Sequence, residues 1–224
     1  MTFSLIGRCT RTGMLGAVVT TSSIAVGSRC PYAKADVGAV LTQHRTDPRL
    51  GPLALELLSR GFTAEQARDA IIASTPHRDW RQLAIIDREG RTAAFSGGKV
   101  NPEKAEAHGQ DCVAIANIVR SSELPSGMVR AFEAKPSAPL ARRLVDALAA
   151  GLAAGGEFRP VRSATLLVVY RESFPYVDLR VDDHGSPIEE LDRLWDKYAP
   201  EADAYVVRAV DPDRATRPAD MVNA

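Results

Sequence analysis

The 224-residue sequence predicts an α+β fold in which antiparallel sheets carry helices on their outer faces. Three observations point to it. Strand-like runs come in blocks joined by short turns. Helical patterns arrive once as a pair and then singly, without the strict strand–helix alternation of a doubly wound parallel sheet. Each helix also presents one apolar face, and two sheets stacked between layers of helices would use every such face.

The elements follow in order. Thr2 to Arg8 turns at Thr10–Gly13 into a run from Met14 to Thr21, which reads as a hairpin, and Gly38 to Gln43 is a third strand. Leu50, Leu53, Ala54, Leu57 and Leu58 repeat at helical spacing, with Gly61 where a C-terminal cap belongs. Thr63 and Gln66 form a capping box for a second helix that runs through Ala67, Ala70 and Ile71 to Ser74 and stops before Pro76. Strands return at Gln82–Ile86 and Arg91–Phe95 about a turn at Asp87–Gly90, and at Cys112–Val119, where Asn117 sits among apolar neighbours. A longer helix spans Pro139 to Ala154 and ends at Gly155–Gly156. Strands at Ala164–Tyr170 and Tyr176–Val181 precede a last helix that begins at Pro187 and presents Ile188, Leu191, Trp195 and Tyr198. No internal repeat or low-complexity linker divides the chain, so one domain over residues 1–212 is expected, with a loose polar tail at 213–224.

Composition narrows the function classes. Lys and Arg total 28 against 28 Asp and Glu, with 45% apolar residues, an ordinary globular balance. Zero net charge and no basic run give no electrostatic pull toward nucleic acid or an anionic membrane. No stretch is long and apolar enough to read as a membrane span, and the first residues lack the pattern of a signal peptide. Cys9, Cys30 and Cys112 are odd in number and widely spaced, which suits free thiols and a cytoplasmic location. His44, His77, His108 and His184 show no metal-ligand spacing, so no metal or organic cofactor is expected. Arg180, Asp182 and His184 share one strand face and read as a charge network near a sheet end or subunit contact.

Thr2 is the most informative residue. Threonine is small enough for the initiator methionine to be trimmed in front of it, which leaves a hydroxyl and a free α-amine on adjacent carbons. An α-amine titrates near 8, so about one in seven is neutral at pH 7, and it serves as a base for its own hydroxyl with little retuning. Antiparallel pairing about Thr12 predicts Ser22 or Ser23 opposite Thr2, placed to orient the amine or shuttle its proton. Asn117 is the expected oxyanion donor, because an amide inside an apolar strand must be hydrogen-bonded to something. Gln43, at the end of its strand, is a second candidate donor, and with His44 it is expected to line a substrate pocket.

The segments TFSLIGRCTRTGMLG, SSIAVGSRCPYAKADVGAVLTQ, DPRLGPLALELLSRGFTAEQA and RQLAIIDREGRTAAFSG, with YVDLRVDDHGSPIEELDRL late in the chain, resemble a bacterial family known as domain of unknown function ten-twenty-eight. The resemblance runs from Thr2 to about Trp195. It implies the four-layer α/β/β/α sandwich of N-terminal-nucleophile hydrolases and cleavage of a non-peptide or peptide amide. The expected partners are therefore a small-molecule or peptide amide and further copies of the same chain. Two rivals stand beside the hydrolase: a catalytically silent relative that binds a small ligand or acts as a scaffold, and a hydrolase whose nucleophile is Cys30.

Overall fold

The computed structural model describes residues 1–215. Its strands are β1 (Thr2–Arg8), β2 (Leu15–Thr21), β3 (Pro31–Lys34), β4 (Gly38–Gln43), β5 (Gln82–Asp87), β6 (Thr92–Ser96), β7 (Lys104–Gly109), β8 (Cys112–Asn117), β9 (Ser163–Val169) and β10 (Pro175–Val181). Its α-helices are α1 (Leu50–Ser59), α2 (Ala64–Ser74), α3 (Leu124–Glu133), α4 (Leu140–Ala153), α5 (Pro187–Tyr198) and α6 (Ala202–Val210). Six strands form one antiparallel sheet in the order β10-β9-β2-β1-β8-β7, and four form a second in the order β3-β4-β5-β6.

Alternation along the strands builds the layers. On β1, Phe3 and Leu5 pack with Leu124, Met128, Phe132, Leu144 and Leu148 of α3 and α4. Ile6 points the other way, into a core shared with Leu15, Ala17, Val19, Val113 and Ile115, and with Ala39, Leu41, Ala84 and Ile86 of the second sheet. Val40, Leu83 and Ile85 of that sheet face α1 and α2 through Leu50, Ala54, Leu58, Ala67 and Ile71. Helix, sheet, sheet and helix thus stack in four layers. Both faces of each sheet are covered, so the central strands read as nearly continuous apolar runs. Two glycines permit close approach of the helices: a Cβ on Gly7 would lie 2.5 Å from Cζ of Phe132, and one on Gly151 would lie 2.9 Å from the ring of Phe3.

Local signals in the sequence recur in the structure. The first hairpin closes through Cys9 N–H to Met14 O and Gly13 N–H to Cys9 O, with Gly13 at φ +78°. The capping box is complete, Thr63 Oγ1 accepting from Gln66 N–H while Gln66 Oε1 accepts from Thr63 N–H. Gly61 stands at φ +91° just after α1.

Four elements lie outside the sequence expectation. β3 is a four-residue edge strand that opens on a proline. β7, KAEAHG, is also an edge strand, poor in β-formers and held by pairing with β8. α3 contains Pro125 and Gly127, yet buries Leu124, Met128, Val129 and Phe132 against the large sheet. α6 follows α5, so the helix at Pro187 is not the last. Pro212–Arg214 form a short 3-10 turn, and residues 216–224 of the expected tail lie outside the described residues.

Candidate functional site

The inter-sheet layer changes character along its length. Its middle is aliphatic, but the end at which β1 begins is polar. Thr2 pairs with Asn117 on β8, and the register that sets Phe3 opposite Thr20 sets Thr2 beside Thr21 on β2. The expected neighbours Ser22 and Ser23 are displaced by one and two residues, because the hairpin turns slightly earlier than Thr12. Strand alternation sends Thr2, Thr21 and Asn117 to the face that looks at the second sheet. Thr2 and Thr21 border a cleft of about 290 Å³ with Ser23, Cys30, His44 and Arg45.

The hydroxyls converge on the chain terminus. Thr21 Oγ1 donates to Met1 O at 2.5 Å, and Thr2 Oγ1 donates to the same carbonyl. The two threonine oxygens are 3.4 Å apart. Ser22 contributes its backbone, donating N–H to Glu157 Oε2 at 2.9 Å, while Ser23 is exposed at the mouth with its N–H on Thr21 Oγ1.

Glu157 has no counterpart among the sequence candidates. It is 4% exposed, and its Oε1 is buried without a hydrogen-bond partner. Burial pushes its carboxyl up to about 7, against the opposing pull of the Ser22 hydrogen bond and the N-terminal amine. Burial likewise holds the Met1 amine below its ordinary value, and Glu157 draws it back up. A buried acid and a buried amine therefore lean on one another at the cleft. In the sequence Glu157 is one acid after a Gly–Gly pair; its β-bridge to Val119 and the Ser22 hydrogen bond bring it to this end of the sheet.

Behind the cleft the sheets are joined by a polar plug. Ser4 Oγ donates to Gln43 Oε1 at 2.8 Å, and Gln43 Nε2 donates to Gln82 Oε1 at 2.6 Å. The same Gln82 oxygen accepts from Asn117 Nδ2 at 2.9 Å, and Gln82 Nε2 donates to Ser96 Oγ and Ala116 O. Gln43 is fully buried and spends both ends of its amide here, so it is corrected from a pocket-lining residue to a joint between sheets. Asn117 is also fully buried, with one Nδ2 hydrogen on Gln82 and its Oδ1 unpartnered.

His44 does line the cleft. Its Nδ1 bonds Trp80 O at 2.9 Å and its Nε2 accepts from Asn101 N–H at 3.3 Å, the pattern of a neutral ring. Burial lowers its basicity further, outweighing the Trp80 carbonyl. His44, Arg45 and Ile118 border the cleft at φ +51°, +47° and +54°. Left-handed backbone in such residues is costly, most of all for branched isoleucine, and is held only where surrounding structure enforces it. Cys30 is 2% exposed, and burial pushes its thiol up to about 11.

Elsewhere, Arg180 meets Asp182 at 3.5 Å, but His184 turns to accept from Ser186 N–H and Asp183 pairs with Arg162, so the expected three-residue network is not assembled. Among the described residues no group of three His, Cys, Asp or Glu could hold a metal ion. No helix among them is long and apolar enough to cross a membrane.

Comparison with known proteins places this architecture. Protein SPO2555 from Silicibacter pomeroyi, described as a DUF1028 protein, superposes with a TM-score of 0.83 at 30% identity, covering 88% of this chain and 86% of that one. Anbu (ancestral beta-subunit) from Yersinia bercovieri superposes with a TM-score of 0.39 at 9% identity, over 91% and 97% of the two chains. No curated protein matches the sequence. The model of a family of unknown function, DUF1028, matches residues 2–191, and the chain belongs to that family.

Proposed function

We propose that the protein is an N-terminal-nucleophile amidohydrolase acting through Thr2 on a small-molecule or peptide amide. The observation that carries this reading is the position of Thr2: first residue of a central strand, on the inter-sheet face, at the edge of a cleft, with the Thr21 hydroxyl and the Glu157 carboxylate at its amino end. Removal of Met1 leaves the α-amine on Thr2 and frees Thr21 Oγ1, which loses the Met1 carbonyl as acceptor.

The chemistry then closes on one residue. The Thr2 amine takes the proton from its own Oγ1, which attacks the substrate carbonyl carbon. The tetrahedral oxyanion is assigned to the second Nδ2 hydrogen of Asn117, the β8 residue that pairs with Thr2 and is fully buried beside the cleft rather than bordering it. Such a contribution is worth about 3 kcal/mol where donors of this kind are removed. The amine's proton passes to the leaving nitrogen as the C–N bond breaks, leaving an ester on Thr2. Water, deprotonated by the same amine, cleaves that ester and restores the hydroxyl. Glu157 holds the amine in place, and Ser22 N–H holds Glu157. Ser23, at the mouth, and neutral His44 contact the substrate.

The test joins mass and turnover. Intact mass should show loss of Met1, an acylating probe should leave its adduct on Thr2, and Thr2→Ala should lower hydrolysis at least about 1,000-fold with stability changed by under about 1 kcal/mol. Thr2→Ser should keep part of the activity. Active protein that retains Met1, or an active Thr2→Ala variant, sinks the mechanism and leaves the Cys30 rival; binding without turnover in protein that has lost Met1 leaves the ligand-binding one.

A further inference from the structure

We propose that the cleft takes an amide that also carries a carboxylate, held by Arg29 and Arg45. The inference rests on the hydrolase reading for the bond that is cut, and stands apart from it for the ligand that is bound.

The residues around the cleft include two arginines and no aspartate or glutamate. Several arginines elsewhere have acids: Arg8 has Asp111, Arg91 has Asp87 and Glu89, and Arg142 has Asp146, Asp192 and Asp196. Among the described residues neither Arg29 nor Arg45 has one. The acid nearest Arg45 in sequence, Asp47, is occupied by Arg49 and Arg81. Glu157 is buried, holds Ser22 N–H and does not border the cleft.

Both guanidinium groups are also steered. Arg29 Nη1 donates to Ile24 O and Ala25 O, at 2.8 and 2.7 Å, which fixes the head and leaves Nη2 and Nε for a ligand. Arg45 sits 5.2 Å from the centre of the Trp80 ring, and that ring stacks in turn on His44. Lys99 lies 5.5 Å from the centre of the same ring, outside the residues that border the cleft. His44 and Arg45 both border the cleft on left-handed backbone, and Arg45 with Trp80 also borders a neighbouring surface pocket. A guanidinium fork matches a carboxylate by geometry as well as charge. At about 290 Å³ the cleft sits at the small end of ligand pockets, which begin near about 300 Å³, and so suits only a compact molecule.

The experiment separates binding from turnover. Thr2→Ala protein is titrated by calorimetry with glutaramate, which has one amide and one carboxylate, and with glutaramide, its neutral diamide of equal length. Glutaramate should bind at least tenfold tighter at low salt, the preference should shrink severalfold in 0.5 M sodium chloride, and Arg29→Ala with Arg45→Ala should erase it. Because Arg29 also ties down its loop, Arg45→Ala alone is the control for folding, and it should cut the preference at least threefold. Equal binding, no binding of glutaramate, or a preference that survives loss of both arginines overturns the proposal. Glutaramate bound but never cleaved by mature wild-type protein upholds the ligand class and overturns the hydrolase. Glutaramide cleaved as fast as glutaramate does the reverse.

Discussion

Asp87 and Glu157 are buried carboxylates, 2% and 4% exposed; Asp87 lies on the helix-facing side of the smaller sheet, and Glu157 lies near the polar end of the inter-sheet layer. Their surroundings differ in kind. Asp87 accepts four hydrogen bonds: Glu89 N–H and Arg91 N–H on one oxygen, Ala64 N–H and Arg91 Nε on the other. It closes the β5–β6 turn and caps the start of α2. Glu157 accepts one, from Ser22, leaves an oxygen with no partner among the described residues, and feels the charge of the N-terminal amine. A saturated buried acid is a structural joint, whereas an unsaturated one retains capacity to bind something or to move a proton. The same end of the layer holds the left-handed His44, Arg45 and Ile118 and the unpartnered Asn117 Oδ1.

The sharpest way to break this contrast is to remove the joint. Asp87→Ala strands three backbone N–H groups and frees the Arg91 side chain, and should cost about 3 kcal/mol in urea unfolding. Probe labelling of Thr2, corrected for folded fraction, should not change. A loss below about 1 kcal/mol, or a labelling defect in fully folded protein, would put Asp87 in the same class as Glu157.

Glu157→Gln should act in the opposite direction. Glutamine keeps an acceptor for Ser22 N–H and cannot ionise. Because burial lifts the folded-state value from 4.5 to about 7, folded protein holds this proton more tightly than unfolded chain. Wild-type stability from this group therefore falls as pH rises from about 4.5 to 7, then levels. The variant should match wild type near pH 4 and exceed it by about 3 kcal/mol at pH 8, read as Tm against pH. Its hydrolysis should fall, since the amine loses its acid. A Tm difference that stays flat between pH 4 and 8 would mean that Glu157 carries no unusual proton.

These two acids also mark how far the chain could be read in advance. Asp87 sits in a turn flanked by strands, and that turn, the capping box of Thr63 and Gln66 and the first hairpin are local signals that the structure repeats. The layering was legible too, because antiparallel blocks and one-sided helices admit few other arrangements. β7 and α3 were not, because neighbours override weak propensity in each: β8 templates KAEAHG, and the sheet buries Leu124, Met128 and Phe132 despite Pro125 and Gly127. At the site, Thr2 could be singled out from its own chemistry. Thr21 in place of Ser22 or Ser23 was a matter of one residue in hairpin register, which the turn decides. Gln43 failed as a pocket residue because a polar strand end can face a partner sheet as readily as a solvent cleft. Glu157 had no local signal at all; only long-range pairing gives it a role.

Cys30 supplies the smallest and cleanest contrast, because it borders the same cleft as Thr2 and is as deeply buried as Asp87. Burial penalises a thiolate but not a thiol, so this residue stays neutral at no cost, with only a long contact of 3.9 Å to Thr46 Oγ1. With its value near 11, about one molecule in ten thousand carries the thiolate at pH 7, roughly a hundredfold fewer than for an ordinary thiol. Cys30→Ala should therefore leave hydrolysis within about twofold of wild type and cost on the order of 1 kcal/mol from lost packing. Iodoacetamide should leave the native protein unmodified at Cys30 while an acylating probe still finds Thr2. If the alanine variant loses turnover with Thr2 intact, or the thiol alkylates at the rate of a free cysteine, the nucleophile is Cys30 and the polar pair of Thr2 and Thr21 is only the wall of its pocket.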